Sequence, residues 1–135
     1  MSLTLTEQDQ LTLRTAAYGA VTLMAAADAA GSPHKAATEG SIALASATGL
    51  VGHVLARYPK DMKLDNKSVA AIADQVLPAL TQAMSLLKNQ DPAEADNFRN
   101  TVLVAVAAAA RTHQGRPGPT VADMTRKITE ALDAA

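Results

Sequence analysis

The chain has 135 residues, a formal net charge of −1, no cysteine and three aromatic side chains, Tyr18, Tyr58 and Phe98. Without cysteine there are no disulfides, thiolate nucleophiles or cysteine metal sites, which fits a reducing cytoplasm. The balanced charge gives a polyanion such as nucleic acid little to hold, and the length fits a single helical domain, 1–135, that buries about 68% of its unfolded surface.

Alanine dominates, and alanine favours helix over strand. An all-α chain is expected: a compact bundle of about five helices with a core of small side chains. The alanine and arginine usage resembles that of a high-GC bacterial source. Residues 1–11 have neither a basic start nor an apolar run, so no signal peptide is expected.

The first helix is predicted over 6–30. Thr6 is its N-cap, and Glu7 and Asp9 complement the dipole in the first turn. Leu13, Ala17, Ala20, Met24 and Ala27 form its inward stripe. Gly31 ends it, and Ser32-Pro33 starts the second helix with a capping serine and a proline at the first helical position. The corner at 26–33, AADAAGSP, resembles the helix–turn–helix corner of tellurite-resistance-type bundles. The likeness covers that corner alone, and the acidic residues that should follow it are absent, so it implies no activity.

The second helix is predicted to run to Tyr58, where Pro59 stops it. Its middle, 40–56 (GSIALASATGLVGHVLA), has no charged residue and reads as buried on nearly every side. Ala43, Leu44, Ala47, Val51, Val54 and Leu55 share one face. The opposite face carries Ser41, Ala45, Gly49, Gly52 and Ala56, all small. Glycine within a helix costs about 0.5–1 kcal/mol against alanine, so the pair Gly49 and Gly52 calls for close helix packing in return. That face is either a tight crossing within the chain or the seam of a homodimer. A membrane span needs about 20 predominantly apolar residues with aromatic flanks. This stretch is too rich in alanine, glycine, serine and threonine to be one, and no membrane association is expected.

Residues 59–65 form a polar connection in which Asp61 and Asp65 interleave with lysines. The third helix is predicted over 66–88, with Val69, Ile72, Val76, Leu80, Ala83, Met84 and Leu87 on one face and Pro78 on the polar side. Asp91-Pro92 repeats the cap-then-proline start for the fourth helix, with Glu94 placed for a capping box. The fourth helix runs to Gln114, with Phe98, Val102, Ala105, Val106 and Ala109 on one face. The second and fourth helices are expected to be the most buried. After the stiff GRPGP connection, Thr120 with Asp123 resembles a capping box for the fifth helix. Its seam is Val121, Met124, Ile128 and Leu132, and Asp123–Lys127 and Arg126–Glu130 are i,i+4 pairs on its outer side.

No catalytic or cofactor motif is present: no Glu-x-x-His, no His-Glu-x-x-His and no glycine-rich phosphate loop. No metal or cofactor is expected, and the reading leans away from an enzyme, although a triad built from distant residues is recognised by geometry alone. His53 and His113 read as packing or capping residues. His34 and Lys35 lie in the first turn of the second helix, where positive charge opposes the dipole. With Ser32 they make the best small-site candidate, a weak anion pocket on free backbone N–H groups. The leading expectation is a non-catalytic protein that acts by association, as a homo-oligomer or with a protein partner. The alternative is a small-molecule or anion-binding regulatory protein, using an interhelical cavity or the corner at Ser32, His34 and Lys35.

Overall fold

The computed structural model describes residues 5–27, 33–56, 68–110 and 119–135, with the backbone alone at 33–34 and 119–120. The described residues form six helices and no strand: α1 Glu7–Ala27, α2 Pro33–Ala45, α3 Gly49–Leu55, α4 Val69–Gln90, α5 Pro92–Ala110 and α6 Pro119–Asp133. All six contribute to one hydrophobic core, in which Phe98 is the largest fully buried side chain.

Four of the helix ends follow from local chemistry. Thr6 and Asp9 exchange hydrogen bonds: Asp9 N–H donates to Thr6 Oγ1 at 3.0 Å and Thr6 N–H to Asp9 Oδ2 at 3.1 Å, a reciprocal cap of α1. Ser68 caps α4 through the Ala71 N–H, at 3.1 Å. Asp91 closes α4 with its own N–H on the Leu87 carbonyl and caps α5 by accepting from the Ala93 N–H at 3.0 Å. Pro78 lies exposed inside an unbroken α4. The fifth predicted helix begins at Pro119, so Thr120 lies inside α6 rather than capping it.

The largest departure from expectation lies at 46–48. The long second helix is two helices, α2 and α3, joined by Ser46, Ala47 and Thr48. The last turn of α2 tightens there, with Ala47 N–H donating to the Leu44 carbonyl at 3.3 Å. Gly49 then takes φ +76°, a left-handed conformation that a continuous right-handed helix cannot hold and that glycine adopts at least cost. Nor is the stretch enclosed: Ile42 is 55% exposed, and Ala45, Ser46, Thr48, Gly49, His53 and Ala56 also face water.

The inner position expected for that helix belongs to α1. Its residues 16–21 are buried without interruption, which an element lying on the surface cannot achieve. Both α1 and α5 pack against every other described helix. Two glycines bring neighbours close to α1: a Cβ at Gly19 would lie 2.7 Å from Val76 of α4, and one at Gly40 of α2 would lie 2.6 Å from Val21.

The outer elements keep to simple amphipathic patterns. In α4, Ile72, Val76, Leu80, Ala83, Met84 and Leu87 are buried, while Asp74, Gln75, Gln82, Ser85 and Lys88 are exposed. Among the described helices, α4 alone is long and apolar enough to cross a membrane; here it packs on α1, α5 and α6. In α6, Val121, Met124, Ile128 and Leu132 are buried. Thr81 Oγ1 of α4 donates to the Ala131 carbonyl at 2.6 Å, and Lys88 Nζ donates to the Ala135 carbonyl at 2.7 Å.

Candidate functional site

A shallow groove of about 490 Å3 opens where α2, α1 and the end of α3 meet, lined by Tyr18, Ala37, Thr38, Ser41, Ile42, Ala45 and Ala56. One side is the outer surface of α2. Positions 37, 38, 41, 42 and 45 follow helical spacing, and the small side chains among them leave the hollow while Ile42 stands beside it. Tyr18 forms the inner wall. The tyrosine is 5% exposed, and its O–H donates to the Leu55 carbonyl at 2.6 Å. A buried phenol needs such a partner. This bond also fixes the last turn of α3, and with it Ala56.

Of the predicted small-residue face, the structure brings Ser41, Ala45 and Ala56 together in the groove and separates the two glycines from it. Gly52 is buried against its own chain: a Cβ there would lie 2.2 Å from the Ala47 carbonyl oxygen. Gly49 is exposed, and a Cβ there would meet Glu94 Oε1 at 2.9 Å. Both glycines serve the turn between α2 and α3.

That turn is held from across the fold. The Thr48 side chain makes no cap bond. The Glu94 carboxylate of α5 takes its place, accepting from the Leu50 and Val51 N–H groups at 3.3 Å each. Asn97 donates to the Thr48 carbonyl at 2.8 Å and to Glu94 Oε2 at 3.2 Å. Glu94 therefore caps α3, a role that its place in the Asp91-Pro92-Ala93-Glu94 start of α5 does not announce. The signal that points to a break is the local run Ser46-Ala47-Thr48-Gly49, whose serine, threonine and glycine favour turns.

Of the remaining predicted residues, Lys35 and His53 do not line this groove. Lys35 is exposed in the first turn of α2. Ser32, the side chain of His34, and His113 lie outside the described residues. His53 is exposed in the last turn of α3. No group of three or more histidine, cysteine, aspartate or glutamate side chains that could hold a metal ion occurs among the described residues.

Among the described residues, the groups whose protonation is displaced sit in surface ion pairs on α5 and α6. Arg99 binds Asp133 through two hydrogen bonds, at 2.7 and 3.2 Å. Its guanidinium holds the Asp133 carboxyl below the usual carboxylate range, first by hydrogen bonding. Asp123 is lowered in the same way by hydrogen bonds from Arg126 and then Lys127. Arg126 also reaches Glu130 at 3.0 Å. Exposed pairs of this kind stabilise little, and they tie α6 to itself and to α5. No family model matches the chain, and no curated protein or solved structure matches it either.

Proposed function

We propose that the protein acts by association, as a homodimer or a subunit of a larger assembly, through the groove on α2 and without catalysing a reaction. The observation that carries this reading is Ile42, a branched apolar side chain 55% exposed beside a hollow lined by Ala37, Ser41 and Ala45. A two-fold contact pairs the same patch on both subunits, and here projection and recess share one patch. The composition supports a bacterial cytoplasm as the setting. Sedimentation at two concentrations tests the reading. The native chain is expected to self-associate, and Ile42→Glu to sediment as a folded monomer. Val104 of α5 is 57% exposed, so Val104→Glu serves as the control. A native monomer throughout overturns the assignment, as does a seam that breaks at Val104 instead of Ile42.

A second reading, a regulatory protein that binds a small molecule, is favoured by the groove's volume of about 490 Å3, within the usual range of about 300–1,000 Å3 for ligand pockets. A compound that raises the melting temperature of a native chain already shown to be monomeric would move the assignment there.

A further inference from the structure

The helix α3 has seven residues, about half the length at which an isolated helix becomes even marginal in water. Attachments from elsewhere hold it. Its start is fixed by Glu94 and Asn97 of α5 and its end by the Tyr18 hydroxyl of α1. Between these points Val51, Val54 and Leu55 are buried. The two Glu94 bonds from backbone N–H groups are 3.3 Å long, at the long end for such bonds, and Asn97 holds the Thr48 carbonyl at 2.8 Å. Both ends of α3 therefore depend on side chains of other helices, the start on the charged Glu94 with Asn97 and the end on the neutral Tyr18 hydroxyl.

We infer that α3 is a releasable clasp. It undocks as a unit while α1, α4 and α5 stay folded, with Glu94 as the catch and Tyr18 as the hinge side. A short helix with few buried side chains and a borrowed cap belongs at the low-stability end of a fold, where local opening precedes global unfolding. Release uncovers Val51, Val54 and Leu55 and frees Ala56, which lines the groove, so the clasp sets the groove's shape. The inference stands apart from the association reading: it concerns one chain and survives a finding that the protein is monomeric.

Amide hydrogen exchange on the full chain tests it. In the native protein, residues 52–56 are expected to exchange at least about tenfold faster than residues 16–24 of α1, with little dependence on urea below the unfolding transition. Glu94→Gln replaces the charged acceptor with a neutral amide and should speed exchange at 52–56 by a further 10-fold or so, up to about 100-fold, leaving α1 unchanged. Tyr18→Phe should act more weakly. Equal rates and a common urea dependence for 52–56 and 16–24 in the native chain overturn the inference, whether or not Glu94→Gln folds. So does a Glu94→Gln protein that folds and exchanges at 52–56 as the native protein does.

Discussion

The second half of α1, residues 15–27, and the stretch 40–56 are both built mainly from alanine, glycine, serine or threonine, and a few aliphatics, yet they end in opposite places. Residues 16–21 of α1 are enclosed on all sides. The other stretch breaks at 46–48 and turns much of its surface to water. The difference lies in how glycine is used. Gly19 is a single gap in α1 into which Val76 fits, so the helix runs straight through. Gly49 and Gly52 follow a serine and threonine run and permit a left-handed step and a backbone contact, so the helix stops. Low side-chain volume permits burial but does not ensure it.

The comparison breaks most readily at the core. Leu23 of α1 is fully buried, and Leu23→Ala should cost about 2–5 kcal/mol in urea unfolding. Ile42→Ala, on the open side of α2, should change the stability of the single chain by less than about 0.5 kcal/mol. Comparable losses would mean that α1 holds no special place.

The glycines sharpen the comparison at a smaller scale. A methyl at Gly52 meets a backbone carbonyl that cannot swing aside, so Gly52→Ala should cost about 1–3 kcal/mol. A methyl at Gly19 meets a valine methyl, and alanine recovers about 0.5–1 kcal/mol of helix preference. Gly19→Ala should therefore cost less than Gly52→Ala, and the reverse order in paired melts would refute this account of the break.

The smallest effect belongs to α6, a reference lying outside both regions. Asp123 and Asp133 have folded-state pKa values below their unfolded ones. Their contribution is complete above the unfolded value, near 4 or so, and disappears as pH falls through the folded value. The melting-temperature difference between the native chain and an Asp123→Asn, Asp133→Asn double variant should be small at neutral pH and close below about pH 4. A difference that widens on acidification would contradict it.

How far the sequence could be read follows from the strength of each residue's signal. The seams of α4 and α6 were legible because large aliphatics such as Ile72, Leu80, Ile128 and Leu132 recur at helical spacing against polar neighbours. The central place of α1 was not, because alanine marks no face. Glu94 was legible as an acid near a helix start, but its partners are the N–H groups of Leu50 and Val51, more than forty positions away, and backbone donors leave no trace in sequence. In the groove, Ser41, Ala45 and Ala56 stood out as small residues. Ile42 was marked only as part of a stretch that reads as buried on nearly every side, and nothing local ties Tyr18 to Leu55.

Four of the links between distant parts of the chain end on main-chain oxygens: Tyr18 on Leu55, Thr81 on Ala131, Lys88 on Ala135 and Asn97 on Thr48. In each pair the hydrogen bond itself constrains only the donor's identity, since any residue supplies the same acceptor. As far as these bonds go, mutational drift should be one-sided, restrained at 18, 81, 88 and 97 and freest at the exposed Thr48, while Leu55 is held by its own burial in the core. Searches for compensating pairs of substitutions would pass over these contacts, although they pin this fold together.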